Sequence, residues 1–306
     1  MHLVTGGAGF IGSHIVAGLL RRGERVRVLD TLVSGKRENL PTDLANIELI
    51  EGDLRDEAVV REAVAGVDVI FHHAALASVP YSIAQPKECF DINVGGTINL
   101  LSAARDAGCR RVVFASSSSV YGDSDDQARR ETDKPNPQSP YAVSKLTGEQ
   151  LCQVYTSLHG LETVALRYFN VFGPGQDPMS QYAAVIPKFV AALTSGVEPV
   201  IYGDGEQSRD FVFVGDVVNA NLLAAGAAGA AGQVFNIASG RSRTVNETLG
   251  EIAGIMGVDA RPRHEPARMG DVRISRADIS SATAHLGFSP QVSFADGLAR
   301  TVPAHV

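Results

Sequence analysis

The sequence predicts an α/β chain built on a doubly wound parallel sheet. Three observations carry that expectation. Short runs rich in Val, Ile and Leu alternate with helical stretches through residues 1–170, as in chains of repeated strand–helix–strand units. A glycine turn, Gly7-Ala8-Gly9-Phe10-Ile11-Gly12, joins the first strand to the first helix. An acid, Asp30, closes the second strand.

Taken in order, His2–Val4 reads as a short buried strand. The turn after it opens a helix running to about Arg22. Gly7, Gly9 and Gly12 fit G-x-G-x-x-G, with Gly6, Phe10 and Ile11 completing the turn and helix start. Glycines there let the backbone bend tightly and approach a pyrophosphate, and the helix N-terminus offers N–H donors and a favourable dipole. Arg25–Leu29 is the second strand. Asp30 at its end suits a ribose 2′-hydroxyl and would repel a 2′-phosphate, which favours NAD over NADP.

Ile47–Glu51 is the third strand, followed by Gly52-Asp53-Leu54. Asp53 either accepts from an adenine amino group or forms an Asx turn or helix cap. Val67–His72 is the fourth strand. Ala74 and Ala75 beyond it are small enough to leave a cofactor unobstructed, and His72 and His73 read as satisfied strand-end groups. One long helix is expected from Pro86 to Ala107, with Asn93 inside it fixing a bend or a water.

Arg111–Ala115 is the fifth strand, ending in Ser116-Ser117-Ser118-Ser119. Ligands of open parallel sheets bind at such strand ends, so a serine here either bridges a substrate hydroxyl or is turn chemistry. Asp123–Ser139 reads as a loop over the site. Pro140 then opens a helix to about His159, its missing N–H costing nothing in the first turn. Tyr141 and Lys145 share one face of that helix. A free Tyr has a pKa of about 10. An ammonium beside it is expected to lower that value and make Tyr141 a base.

Leu161–Arg167 is the sixth strand, and Tyr168–Gln176 a turn-rich loop at a domain boundary. Beyond it the expected elements are a helix at Tyr182–Ser195, strands at Pro199–Tyr202, Arg209–Val214 and Val234–Ile237, and helices at Asp216–Ala225, Val245–Met256 and Ala277–Leu286. Ala224–Gly232 reads as a helix end and mobile surface loop, and the last residues as frayed.

The 306 residues carry a net charge of −7 with no basic run, which argues against nucleic acid or an anionic membrane as partner. Cys89, Cys109 and Cys152 are scattered and odd in number, as expected of a reducing, cytoplasmic setting. The His residues show no metal-ligand spacing, so no metal is assigned. The first strand starts almost at Met1, leaving no room for a signal peptide, and no apolar run is long enough to span a membrane.

The glycine turn, Asp30, Ser117, Tyr141-x-x-x-Lys145 and Arg167-Tyr168-Phe169-Asn170 stand in one order. Together they resemble the extended short-chain dehydrogenase/reductase family, and within it the UDP-glucose/UDP-N-acetylglucosamine 4-epimerases, over essentially the whole chain. The resemblance implies a Rossmann-type domain carrying NAD (1–169 plus about 207–235) and a smaller mixed α/β domain carrying a UDP-sugar (170–206 plus 236–306). It also implies a homodimer packed through helices around Asn93–Ala107 and Tyr141–His159. The dehydratases and decarboxylases of the family carry a carboxylate just after the serine; Ser118 and Ser119 stand here. In the epimerase pattern Ser-Ser-Ser-x-x-Val-Tyr-Gly the first position falls on Ala115, a departure, while Ser116, Ser117 and Val120-Tyr121-Gly122 match.

The same resemblance implies roles for single residues. Tyr141 takes the proton from the sugar 4-hydroxyl with help from Ser117. Lys145 binds the nicotinamide ribose. NAD contacts come from Gly6, Gly7, Gly9, Phe10, Ile11, Gly12, Asp30, Asp53, Leu54, Ala74, Ala75, Asn93, Ser116, Tyr141, Lys145, Tyr168 and Asn170. Asn170, Arg209 and Arg268 hold the diphosphate, and Asp271 a uridine ribose hydroxyl. Ser275 lines the sugar 2-substituent, where a small residue admits an N-acetyl group, and Ser78-Val79-Pro80 resembles the N-acetyl-hexosamine enzymes. The implied activity is NAD-dependent 4-epimerisation of a UDP-hexose, an isomerase reaction. The alternatives are a dehydratase, decarboxylase or reductase on the same scaffold, or a non-catalytic dinucleotide sensor.

Overall fold

Seven parallel strands form the main sheet of the computed structural model, which describes residues 1–42, 46–123, 128–177, 185–267 and 273–304. The chain begins with β1 (His2–Thr5), α1 (Phe10–Leu20), β2 (Val26–Asp30), β3 (Ile47–Glu51), α2 (Glu57–Val64) and β4 (Val69–His72). It continues with α3 (Val79–Ala84), α4 (Pro86–Phe90), α5 (Gly96–Asp106), β5 (Arg111–Ser117), α6 (Pro140–His159) and β6 (Glu162–Tyr168). Beyond β6 come β7 (Asn170–Phe172), α7 (Val185–Thr194), β8 (Val200–Tyr202), β9 (Ser208–Phe213), α8 (Val214–Gly226) and β10 (Gln233–Ile237). The chain closes with β11 (Ser242–Thr244), α9 (Val245–Met256), β12 (Arg263–Glu265), α10 (Ser280–Leu286) and α11 (Phe294–Thr301).

The main sheet runs β10-β6-β5-β4-β1-β2-β3. Its order reverses between β1 and β4, and the crevice outside the carboxyl ends at such a switch point is where ligands of open α/β sheets bind. Both faces are covered, so the strands are apolar almost throughout. One core gathers Ile15, Val16 and Leu19 of α1 with Val217 and Val218 of α8 and one face of the strands. The other gathers Val60 of α2, Leu100 and Leu101 of α5 and Cys152 of α6 on the opposite face. Each such fully buried Val, Leu or Ile contributes about 1.5–3 kcal/mol.

The smaller part has its own core, in which Phe172, Phe189, Phe211, Ile252 and Leu298 meet. A three-stranded sheet, β11-β9-β7, lies there with the short pair β12-β8. Thus β9, expected within the NAD-binding part, pairs in the small sheet, while α8 and β10 belong with the large one.

Several elements differ from the sequence reading. The expected helix from Pro86 to Ala107 is interrupted at Asp91–Gly95 by a π turn, which widens the helix locally. The loop expected at Tyr168–Gln176 contains β7, paired with β9. Beyond the last expected helix the chain forms α11, whose Leu298 is fully buried, while residues 305–306 at the end expected to fray lie outside the described residues. In the Ala224–Gly232 stretch Ala230 is fully buried and the Gly232 N–H donates to Thr163 O at 2.7 Å, so this connection is packed down. The start of the helix expected at Tyr182 lies outside the described residues.

Candidate active site

The catalytic candidates meet where α6 lies on the end of β5. Ser139 caps α6 by accepting the Ala142 N–H at 3.2 Å, and Pro140 occupies the first turn. Gly148 lets the helix settle onto β5: a Cβ there would stand 2.3 Å from Phe114 Cζ. This places Tyr141 beside Ser117, whose hydroxyl favours the phenolate. Lys145 is buried, donates from Nζ to Ala115 O at 2.8 Å, and stands 5.9 Å from the Tyr141 ring centroid.

The expected electrostatics need correction. Burial outweighs every other influence on Tyr141 and raises its pKa above the ordinary phenol value, the neighbouring Ser117 hydroxyl offsetting part of the rise. Lys145 does not draw it below that value. Burial brings the Lys145 ammonium itself down to about 8.

At the other edge of the crevice, Gly6 adopts φ +67°, and α1 packs so tightly on the turn that a Cβ at Gly12 would meet Gly6 O at 2.1 Å. Among the described residues no side chain caps α1 and no acid stands in its first turn. Its leading N–H groups, with Phe10 and Ile11 half-buried around them, therefore suit an anion. The Asp30 carboxylate accepts from Ala8 N and Leu32 N, both at 2.9 Å, and so stands directly against the same turn. An electropositive helix start beside a buried carboxylate matches the donor set that a dinucleotide diphosphate and ribose require. Ala74 lies behind the turn, its N–H donating to Thr5 Oγ1 at 3.2 Å, and the neighbouring Ala75 is half-buried.

Other candidates have protein partners of their own. Asp53 accepts from Arg55 N at 2.8 Å and Arg55 Nη2 at 2.6 Å, which is the Asx-turn alternative and leaves its carboxylate ion-paired. Leu54 is buried against Gly96. Asn93, in the π turn, accepts from Leu76 N at 2.7 Å and donates to Leu76 O at 3.1 Å and Ser144 Oγ at 2.9 Å. It fixes a bend behind the site. Ser116 donates to Glu149 beneath α6. Tyr168 is buried and its hydroxyl bonds His73 Nε2 at 2.9 Å and Asn221. His72 bonds Thr5 and Thr97 through its two ring nitrogens; burial holds it well below the ordinary histidine value and brings His73 to about 3, so both are neutral.

On the substrate side, Asn170 donates to Asp210 O at 3.2 Å, and Arg209 Nη1 to Ser208 O at 2.9 Å. Ser275 is half-buried and runs alongside β9, its N–H donating to Ser208 O at 3.0 Å. Ser78 caps α3. Arg268 and Asp271 lie outside the described residues. Sequence reasoning missed Asp210, a fully buried carboxylate accepting from Ser239 N at 2.8 Å, Ser239 Oγ at 2.7 Å and Ala277 N at 3.1 Å. Its position one residue after Arg209 was the available signal. It also missed Ser82, whose signal was only its place on a short helix. Among the described residues no three His, Cys, Asp or Glu converge as a metal set, and no helix is long and apolar enough to cross a membrane.

The chain is similar to known proteins over nearly its whole length. The model of the NAD dependent epimerase/dehydratase family matches residues 2–238. A UDP-glucose 4-epimerase of Mycolicibacterium smegmatis is 42% identical over 304 residues, 98% of this chain and 96% of that protein. The solved UDP-N-acetylglucosamine 4-epimerase of Methanobrevibacter ruminantium, in complex with UDP-N-acetylmuramic acid, superimposes with a TM-score of 0.95 at 42% identity, covering 99% of this chain and 97% of that one. The Thermus thermophilus UDP-glucose 4-epimerase, in complex with NAD, gives 0.91 at 38% identity, covering 99% and 98%.

Proposed function

The chain belongs to the NAD dependent epimerase/dehydratase family and is an NAD-dependent UDP-sugar 4-epimerase; we propose that it interconverts UDP-N-acetylglucosamine and UDP-N-acetylgalactosamine, with UDP-glucose as a second substrate. Half-buried Ser275, small where a bulky residue would exclude an N-acetyl group, carries the choice of sugar. The contact of Ser117 with Tyr141, followed by Ser118 and Ser119 in place of any carboxylate, favours epimerisation over dehydration or decarboxylation.

In this reading the glycine turn and α1 hold the cofactor diphosphate, Asp30 the adenosine ribose and Lys145 the nicotinamide ribose. When bound, NAD supplies a hydride acceptor that ends each cycle unchanged. Tyr141 and Ser117 take the proton from the sugar 4-hydroxyl and return it to the 4-oxygen once the carbon beneath it is inverted. Because burial keeps the phenol protonated, Tyr141 acts as a base only with positive charge beside it, and the Lys145 ammonium provides some. Asn170 and Arg209 hold the sugar diphosphate while the 4-keto hexose turns over. General acid–base transfer of this kind contributes about 10²–10⁴ in rate.

We also propose a homodimer. Ile98 of α5 and Val143, Val154 and Leu158 of α6 expose apolar side chains on helices that would meet a second copy. The buried thiols of Cys89, Cys109 and Cys152 fit a reducing, cytoplasmic setting.

The test is turnover of UDP-N-acetylglucosamine and, separately, UDP-glucose, with products resolved by NMR and no reductant added. Conversion to the galacto epimers without net NADH change is expected, and Ser275→Tyr loses the N-acetyl substrate first. Turnover of UDP-glucose alone by the wild type would overturn the substrate assignment, and a stable keto product the reaction.

A further inference from the structure

Tyr141, Lys145 and Glu149 succeed one another at four-residue intervals, so α6 presents them as one row. Each meets the end of β5. Tyr141 stands beside Ser117, Lys145 Nζ donates to Ala115 O at 2.8 Å, and the Glu149 carboxylate accepts from Ser116 Oγ. Arg167 reaches the same carboxylate from β6, Nε to Oε1 at 2.9 Å and Nη2 to Oε2 at 2.7 Å. Ser116 and Arg167 are paired in the β5–β6 ladder, so two neighbouring strands grip one side chain of the catalytic helix. The Arg167 guanidinium also lies 4.7 Å from the Tyr121 ring centroid, just after the serine run.

Glu149 and Arg167 are both only 3% exposed. Taking two charges out of water is costly, and an apolar pair of equal volume is often as stable. Stability alone therefore does not account for the pair, whereas its place in the row does. We propose that Glu149 and Arg167 are positioning residues that clamp α6 to β5 and β6 so that Tyr141 meets Ser117 with Lys145 charged beside them. As a role in proton transfer at the sugar, this rests on the epimerase reading above.

The charge of Glu149 acts in the same direction as its geometry. It favours the protonated form of Lys145 against the burial that depresses it. The other titratable groups around Lys145 are Cys89 of α4 and Cys152 of α6, which also favour the ammonium, Tyr141 of α6 with its ring centroid 5.9 Å from Nζ, and His72 and His73 at the end of β4, held neutral by burial. Glu149 is thus the carboxylate of the set.

Three full-length variants test the clamp: Glu149→Gln, the charge-free double Glu149→Gln/Arg167→Met, and Ser116→Ala, which keeps the ion pair and removes only the β5 contact. Retained NAD, KM, kcat and the Lys145 titration, followed by NMR of 13Cε-labelled lysine, are measured on each and on the wild type. Expected are unchanged NAD retention, a KM within about twofold of the wild type, and a kcat lower by about ten- to a hundredfold. In Glu149→Gln, which leaves the Arg167 cation unpaired, Lys145 titrates lower, and the alkaline limb of kcat moves down with it. Where Glu149→Gln does not fold, the double variant and Ser116→Ala decide. Wild-type kcat in a folded variant of Glu149, or in Ser116→Ala, overturns the clamp, as does an unmoved Lys145 titration in Glu149→Gln. A wild-type enzyme inactive on both UDP-hexoses, with Lys145 nevertheless shifted in Glu149→Gln, overturns the epimerase reading and leaves the clamp standing.

Discussion

The Ser82 hydroxyl oxygen accepts a hydrogen bond from the Tyr141 backbone N–H at 3.2 Å. The same hydroxyl donates to Val79 O at 2.7 Å and is fully buried. A short helix thereby supplies the acceptor that the first turn of α6 cannot find within itself. Ser82→Ala leaves that N–H unsatisfied, which costs about 1–3 kcal/mol and frees the start of the catalytic helix. We predict a lower melting temperature and a several-fold lower kcat at unchanged KM. Wild-type kcat in Ser82→Ala would show that Ser82 does not position Tyr141.

At Gly12 the atoms that a Cβ would meet belong to the backbone of Gly6 and Gly7 and cannot swing away. Gly12→Ala must therefore push α1 off the turn. Overpacking of this kind costs about 1–3 kcal/mol, and the displaced helix start no longer faces a diphosphate. Purified Gly12→Ala should carry little bound NAD and melt several degrees lower. Cofactor content equal to the wild type would count against the assignment of the turn.

Lys145 offers a stability test whose sign is opposite to that of its activity. Its native pKa, about 8, lies below the ordinary lysine value of 10.5. Between those values the unfolded chain binds more protons, so stability rises with pH through that window. Below pH 8 the cost of burying the ammonium is present in full. Lys145→Met should lose most turnover yet melt at or above the wild-type temperature at pH 7. That advantage should shrink as the pH is raised from 8 toward 10.5. A variant less stable than the wild type at pH 7, with the gap closing at higher pH, would contradict the argument.

Asp210 ties β9 to the segment that carries Ser275, through Ala277 and Ser239. An amide offers one acceptor oxygen where the carboxylate has two, so Asp210→Asn should raise KM for the UDP-sugar by about tenfold, the cost of roughly one hydrogen bond to a charged group, while NAD retention stays as in the wild type. Burial pushes the Asp210 pKa up to about 6 from 3.8. Since the native value is the higher, the ionised form costs stability above pH 6, and that cost disappears as the pH falls toward 3.8. Protonation near pH 6 also weakens the tie. The wild type should therefore lose kcat/KM through that pH on the acid side, and Asp210→Asn should not. Identical acid limbs in the two proteins would rule this out.

Much of the main sheet was legible in advance because its signals are local. Apolar runs with turn residues at their ends place β1 to β6 within a residue or two, and α6 begins and ends at Pro140 and His159 as its proline and following glycine require. The three-residue strands β7, β11 and β12 carry no such signal, since each exists only through a partner distant in the chain. The fate of Asp53 was open for a related reason: an acid two residues before an arginine is equally a ligand and an ion-pair partner until the turn brings Arg55 round to it.

The sequence by itself determined the order of the main-sheet strands β1 to β6, the glycine turn with its acid, and the Tyr141–Lys145 row. Each depends on residue type at short spacing, where backbone geometry leaves few choices. Tertiary structure alone decided which groups are dry. It made the Tyr141 phenol weaker as an acid than a free one, brought Lys145 down to about 8, and buried Glu149 against Arg167 from another strand. Desolvation and long-range pairing depend on what packs over a group, and that is settled only when segments far apart in the chain close on one another.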